Sequence, residues 1–388
     1  MLNQKLAIGR YSYSCFDIDK LKDYLTLFPE PSDLIDRSYY QNKCQNKLQG
    51  IFRTFLYNLA SAFLLIPFMI MYMYILKEKD VRLSTDSIDT VSTMDFKSKG
   101  ILPELLEEEF RKNVIISDDK GSLEKDDLQY IAKLIRKYPF SFYFIFKSMC
   151  MIAVYSRAIR LYKPKAILTY GEYSFVSSVL TGYCHSKNVE HINIMHGEKM
   201  FNIRDSFFQF DRCFVWDNHY VKLFKNQRAV STQFVIYPLK TMTLSRSFDT
   251  PIIDYKYYLQ VHNEEQLSKI RDALIMLKSK GKSIAVRLHP SYSNKAIIDK
   301  YFDIDDIEDP RLVSIENSLA SCCYAVSICS TVLRQAYQSG IPCVLDDLSN
   351  PDKHQQLIDR DYILMSKPHL LLSNVIKKES GENYVKVI

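Results

Sequence analysis

The stretch SIAVRLHPSYS, residues 283–293, is a short apolar run that ends in Arg287, His289 and Pro290. Proline fixes φ and donates no hydrogen bond, so a strand that reaches Pro290 stops there and the chain turns. A plain surface turn with an exposed His is one reading. The other is a ligand site at the carboxyl end of a parallel strand, where open α/β sheets bind their substrates. What decides between them is whether the neighbouring segments build such a sheet.

They do so on both sides. Around the quoted stretch come YKYYLQV (255–261), a helix in NEEQLSKIRDALIMLKSKG closed by Gly281, and the strand SIAVRL (283–288). A helix near 294–301, a strand RLVSI (311–315), a short helix ENSLA and a strand CYAVSI (323–328) follow. The helix TVLRQAYQSG and the strand IPCVLD (341–346) complete the series. The first half has the same rhythm, with strands AILTY (166–170), HINIM (191–195) and RCFVW (212–216), further apolar runs in NVIIS (113–117) and TQFVIYPLK (232–240), and helices at 141–161, in FVSSVLTGYCHSK and from Asn218. In LEKDDLQYIAKLIRKY, Leu128, Ile131, Leu134 and Ile135 recur at helical spacing behind a cluster of acids, with Ser122 placed as the cap. Strand–helix alternation of this kind is the signature of parallel sheets covered by helices.

A chain of 388 residues exceeds one ordinary core. The polar stretch from Lys240 to Tyr255, with Pro251, reads as the linker. The expected architecture is therefore α/β, two Rossmann-like domains facing each other across a cleft, one over 1–245 and one over 246–388. An apolar helical segment at 54–76 belongs to the first domain.

That segment, TFLYNLASAFLLIPFMIMYMYIL, carries no charge between Arg53 and Lys77 and is long enough to span a bilayer. Pro67 near its middle and Asn58 and Ser61 in its first half make it an uneven span. A single crossing would separate the first fifty residues from the rest. Buried or interfacial helix, true span and irregular segment all fit the length; the reading adopted is attachment to the membrane without translocation of the main body.

Composition excludes several classes. With 47% hydrophobic and 25% charged residues the chain is globular rather than disordered. The formal charge of +6 admits an anionic substrate or an acidic lipid surface, and the 27 Tyr and 22 Phe form no basic–aromatic repeat, so nucleic acid is not an expected partner. Nine cysteines without CxxC spacing exclude a disulfide framework and a structural zinc site. The N-terminal stretch lacks the apolar core of a signal peptide, which leads to the expectation of a cytoplasmic location.

Candidate chemistry sits at the strand ends. In the second half, Arg287, His289 and Pro290 follow one strand, and Cys329, Ser330 and Thr331 follow another. Ser330 stands at a helix start, where unsatisfied N–H groups and the dipole favour a phosphate; it reads equally as an N-cap, and one hydroxyl can do both. In the first half, Gly171 and Glu172, then His196, Gly197 and Glu198, then Asp217 close three successive strands. A lone loop carboxylate is usually solvated or starts a helix, whereas three in corresponding places point to a site with a general base. The glycines beside two of them would let a ligand approach the backbone. No cluster has the spacing of a metal motif.

RLHP after a strand, followed by SICSTVLRQAYQSGIPCV, resembles the C-terminal half of bacterial GT-B glycosyltransferases with HP and Ser/Thr motifs, among them sialyltransferases, polysialyltransferases and capsule Kdo transferases. The upstream YGE and MHGE loops resemble their acceptor-side half, so that the resemblance covers roughly residues 165–350. It implies that His289, with Pro290 shaping its loop, meets the nucleotide phosphate beside Arg287, and that Ser330 and Thr331 bind that phosphate or the adjoining sugar. Glu172 is then the first choice for the base on an acceptor hydroxyl, with Glu198 and Asp217 behind it. Where many UDP- and GDP-sugar enzymes of this class carry a Glu on the following helix, this chain has Arg334 and Gln335, which favours a CMP-activated donor such as a nonulosonic acid or Kdo. The expected partners are a nucleotide-sugar donor and a glycan or lipid-linked glycan acceptor of a capsule or lipopolysaccharide, with peripheral contact at the inner face of the cell membrane. No cofactor and no metal are expected. The related CDP-glycerol polymerases leave a CDP-alditol phosphotransferase as an alternative, and a non-catalytic GT-B partner in polysaccharide assembly as another.

Overall fold

A computed structural model describes residues 17–76, 88–116, 121–239, 252–291 and 293–381. The chain divides into two compact units, Met1–Pro238 and Leu239–Ile388. Much of the linker expected between Lys240 and Tyr255 lies outside the described residues.

The first unit holds a six-stranded parallel sheet in the order β2-β1-β3-β4-β5-β6, from β1 (Thr90–Ser92), β2 (Asn113–Ile115), β3 (Ala166–Thr169), β4 (Glu190–Ile194), β5 (Arg212–Val215) and β6 (Phe234–Ile236). Its order reverses between β1 and β3, so the carboxyl ends of those strands form a switch point. The register pairs Val91 with Ile167, and Leu168 with Ile192. Strand β1 is short and mostly polar, yet fully buried: Thr90 donates to Asn113 Oδ1 at 2.9 Å and Asn113 donates to Ser92 Oγ at 2.9 Å.

The helices that matter below are α1 (Leu34–Gln49), α2 (Ile51–Ile70), α3 (Lys125–Lys137), α4 (Phe142–Tyr162), α5 (Ser177–Ser186) and α6 (Asn218–Asn226). Helix α3 is capped by Glu124 rather than Ser122: Asp127 reciprocates in a capping box, while Ser122 is engaged by Arg160. Buried Met149, Ile152, Ala153 and Tyr155 of α4 pack with Ile167 of β3 and Val179 of α5 in one core. Helix α1 is bound into the same unit by polar contacts. Gln41 donates to the carbonyls of Glu172 and Arg204, both at 2.8 Å, and Val179 N–H donates to Ser38 Oγ at 2.8 Å.

The second unit is a six-stranded parallel sheet in the order β12-β11-β10-β7-β8-β9, from β7 (Ile253–Tyr258), β8 (Ile284–Arg287), β9 (Ile307–Glu308), β10 (Cys322–Ser327), β11 (Cys343–Leu345) and β12 (Leu370–Leu371). Counted within the unit this is the 3-2-1-4-5-6 order of a dinucleotide-binding sheet, with its switch point between β7 and β10. Helix α7 (Glu264–Ser279), started by an Asn263–Gln266 capping box, packs Ile270, Leu274 and Leu277 onto Val286 and Tyr257. Helix α8 (Thr331–Gln338) follows β10. The two tandem parallel-sheet units have the makeup expected of a GT-B chain.

One strand moves. The expected strand RLVSI (311–315) is a loop, with Leu312 85% exposed and Ser314 capping the helix Ile315–Ala320. The sheet edge is instead Ile307–Glu308, paired with Val286 and Arg287. An acidic stretch can form an edge strand here because Lys256 and Arg287 neutralise Glu308.

Candidate functional site

In the second unit the switch point gathers the carboxyl ends of β7 and β10, with that of β8 beside them. Ser330 is the N-cap of α8: its Oγ accepts from Val332 N–H at 3.2 Å and from Gln260 Nε2 at 3.1 Å. Gln260 lies just past β7, so this bond ties together the two strands that flank the switch. Ser330 is 7% exposed, while Thr331, the first residue of the helix, is exposed. The cap is made, and the hydroxyl keeps its own proton to donate.

His289 lies in the loop after β8. Its backbone N–H donates to Ser293 Oγ at 2.7 Å, and its Nδ1 accepts from Ser291 N–H at 3.1 Å. An accepting Nδ1 places the proton of the neutral ring on Nε2. Partial burial holds the imidazole below its usual pKa, which keeps it a neutral N–H donor at pH 7. Pro290 is exposed and makes the turn.

Arg287 departs from the expectation. Its guanidinium is buried, with Nη1 on Glu308 and Nη2 donating to the Val313 carbonyl at 2.9 Å. Lys256 Nζ approaches the other Glu308 oxygen at 2.6 Å, and Ser318 donates to the same carboxylate. Burial pushes the Glu308 carboxyl up, but these partners outweigh it and hold it below the ordinary range. Arg287 therefore pins the sheet edge. Arg334 is likewise buried, 1% exposed.

In the first unit, the carboxyl ends of β3, β4 and β5 place the three carboxylates differently. Glu172 is fully buried and touches Lys199, itself nearly buried. Burial raises the carboxyl, yet the adjacent ammonium outweighs it, so Glu172 stays ionised with its pKa below the usual value. A buried, ion-paired carboxylate cannot meet an acceptor hydroxyl, which removes Glu172 from the role of base. Asp217 is the N-cap of α6, accepting from His219 N–H at 2.7 Å, the ordinary task of an acid at a helix start. Glu198 is half-buried and accepts from Tyr220 OH at 3.1 Å.

His196 emerges in their place. Its Nδ1 lies 4.0 Å from Glu172 Oε1 and its side chain is 32% exposed. Burial lowers its pKa, the neighbouring Glu172 raises it and Lys199 lowers it, leaving the net value below 6.5. The ring packs against Tyr170, centroids 4.7 Å apart, and Tyr173 lies 6.4 Å away, its own ring covered by the Arg204 guanidinium at 5.3 Å. Gly197 beside it has nothing within 4 Å of where a Cβ would stand, so the backbone is open to a ligand. At Gly171 the same position is only 2.8 Å from Ser177 Oγ, so that glycine serves packing.

The sequence placed His196 in the right loop without choosing it, and Lys199 and Gln260 gave no signal beyond their polarity. Among the described residues no group of three His, Cys, Asp or Glu is placed to hold a metal ion. The eight described cysteines are free, and burial pushes several thiols up, Cys44 and Cys343 to about 12.

No family model matches the sequence, and no curated protein matches it. Among solved structures the chain is similar to the UDP-GlcNAc 2-epimerase of Methanocaldococcus jannaschii in complex with UDP-GlcNAc and UDP, at 12% identity and TM-score 0.43, covering 78% of this chain and 94% of that one. It is also similar to the lipopolysaccharide outer core galactosyltransferase WaaB, at 8% identity and TM-score 0.40, covering 68% and 81%. The wall teichoic acid polymerase TagF gives 10% identity and TM-score 0.40, covering 85% and 88%. At these values the fold class rests on the two parallel sheets themselves.

Proposed function

We propose that the protein is a metal-independent glycosyltransferase that transfers a sugar from a nucleotide-activated donor, a CMP-linked nonulosonic acid or Kdo, to a bacterial capsule, lipopolysaccharide or related surface glycan. The observation that carries this reading is the edge of the second sheet, where the Ser330 cap, bonded to Gln260 across the switch point, and the neutral His289 lie at the carboxyl ends of β10, β7 and β8. Such an edge suits an anionic ligand, because a helix N-terminus and an N–H donor both favour a phosphate.

In the proposed step the bond between the anomeric carbon and the donor phosphate oxygen breaks, and the electron pair leaves with the nucleoside monophosphate. His289 Nε2–H, the Ser330 hydroxyl and the N-terminal amides of α8 stabilise the charge that develops there. The acceptor oxygen bonds to the anomeric carbon as its proton passes to a general base. In the first unit, a neutral, partly exposed His196 imidazole with the ionised Glu172 4.0 Å from its Nδ1 is suited to accept a proton, since the carboxylate stabilises the imidazolium.

The test is release of nucleotide from a panel of CMP-, CDP- and UDP-linked donors by the purified full chain, with and without EDTA. The reading expects turnover of a CMP-sugar that survives EDTA. Turnover of CDP-glycerol alone would establish the phosphotransferase alternative, and absence of both turnover and nucleotide binding would leave a non-catalytic partner.

A further inference from the structure

Helix α2 continues into a π-helical stretch, Met71–Ile75, and its outer surface is apolar and open: Ile51 is 91% exposed, Phe52, Phe63 and Ile75 are each 73% exposed, and Phe55 and Ile66 each 61%. A water-soluble surface rarely leaves so continuous an apolar face bare. The inner face is committed. Leu65, Phe68, Met69 and Tyr72 pack on the core built around α4, Asn58 bonds both the Phe140 carbonyl and the Tyr143 N–H at 3.1 Å, and Leu123 N–H donates to the Tyr72 carbonyl at 3.0 Å.

This geometry separates lying on a membrane from crossing it. Helix α1, just before the segment, is bonded to Glu172, Arg204 and Val179, and residues after it supply the rest of the same unit. A single crossing would put these partners on opposite sides of a bilayer. It would also strip the inner face of α2 from the core.

At the N-terminal half of α2 a groove of about 510 Å³ runs between α1, α2 and the start of α4. One wall is apolar, with Ile51, Phe55 and Leu59; the other is α1, with Asn42, Lys43 and Lys47. Asn42 is 3% exposed, and while its Oδ1 accepts from Asn46, its Nδ2 has no partner. A buried donor without a partner, here on a residue that lines the groove, costs stability unless something accepts from it. Both lysines are exposed. An orphan amide and two ammonium groups opposite an apolar wall match the chemistry of one anionic phospholipid, phosphate on the α1 side and acyl chains along α2.

We infer that α2 is an in-plane membrane anchor that docks on an anionic phospholipid surface, with a lipid phosphate held in the groove against Asn42, Lys43 and Lys47. An apolar face with a basic border lies in the interface rather than across it, and each lysine near an anionic surface adds attraction that salt screens. This inference stands independently of the catalytic reading.

The test is flotation of the purified full chain with vesicles of phosphatidylcholine alone or of phosphatidylcholine with phosphatidylglycerol, at low and high salt, alongside the donor-release assay in solution. The wild type should float with the anionic vesicles. Phe55→Ser with Phe63→Ser should abolish flotation; both side chains are exposed, so the fold stands. Lys43→Gln with Lys47→Gln should weaken binding to anionic vesicles about 30-fold and spare the weaker binding to neutral ones. Donor release in solution should be the same in all variants, whatever its absolute value. A wild type that stays unbound to both vesicles, or serine variants that float as it does, would overturn the inference. So would a dimer in size-exclusion chromatography that the serine variants dissociate without any vesicle binding, which would make a second copy of the chain the occupant.

Discussion

The two sheets end in edges built from similar ingredients and used in opposite proportions. In the first unit the strand-end charges are mostly engaged within the unit: Glu172 is buried on Lys199, the partly exposed Asp217 caps a helix, and His196 and Glu198 are partly exposed as well. In the second, Lys256 of β7, Arg287 of β8 and Glu308 of β9 pair with one another across adjacent strands, and the loops that follow β7, β8 and β10 carry the neutral donors Gln260, His289 and Ser330. A charged residue at a strand end is thus no guide to chemistry until its partner is known. The first edge suits holding a proton acceptor, the second suits receiving an anion.

The sharpest way to break this contrast is to remove the acceptor. His196→Gln should lower kcat by about 10²–10⁴-fold with little change in the KM for donor. The base works only when neutral, and burial lowers its pKa below 6.5, so wild-type kcat should stay level as pH falls to 6.5 and drop only below it. A flat profile down to pH 5, or a fall in donor affinity instead of kcat, would move the base elsewhere, with Glu198 next.

The second test asks whether the buried charges of the second unit are structural. Lys256→Met leaves Glu308 with one cation in a largely buried site and should lower stability by about 3–5 kcal/mol in chemical denaturation. Nucleotide affinity of the protein that remains folded should be unchanged. A selective loss of nucleotide binding at full stability would return the cluster to the ligand site.

The smallest effect distinguishes the two glycines. Gly171→Ala forces a Cβ to 2.8 Å from Ser177 Oγ and should lower stability by about 1–3 kcal/mol, whereas Gly197→Ala, with open space around it, should stay within about 0.5 kcal/mol. Equal effects would mean that both loops are merely packed.

The strands buried on both faces were legible because they read as apolar runs: AILTY, HINIM, RCFVW, SIAVRL and CYAVSI each fall within a residue or two of a strand. Strand β1 was not, since Thr90 and Ser92 reach the interior only by bonding Asn113, a partner distant in sequence. Strand β9 hid for the same kind of reason, its Glu308 being tolerable only beside Lys256 and Arg287. The site followed the same rule. His289 and Ser330 announced themselves by sitting next to a strand end with local partners, Ser291 and Val332. The burial of Glu172 and Arg287 depended on Lys199 and Glu308, contacts that periodicity does not encode, so sequence reading could not see that both residues are ion-paired within the fold.

The central claim is that the second edge holds the donor phosphate through His289. Calorimetric titration of the full chain with CMP, comparing wild type with His289→Ala, tests it most directly. The account predicts saturable binding to the wild type and a loss of at least about tenfold in affinity on losing one donor to a charged group, with the variant's thermal unfolding unchanged. Equal affinity in the two proteins, or no binding to the wild type by CMP, CDP or UDP, would contradict it.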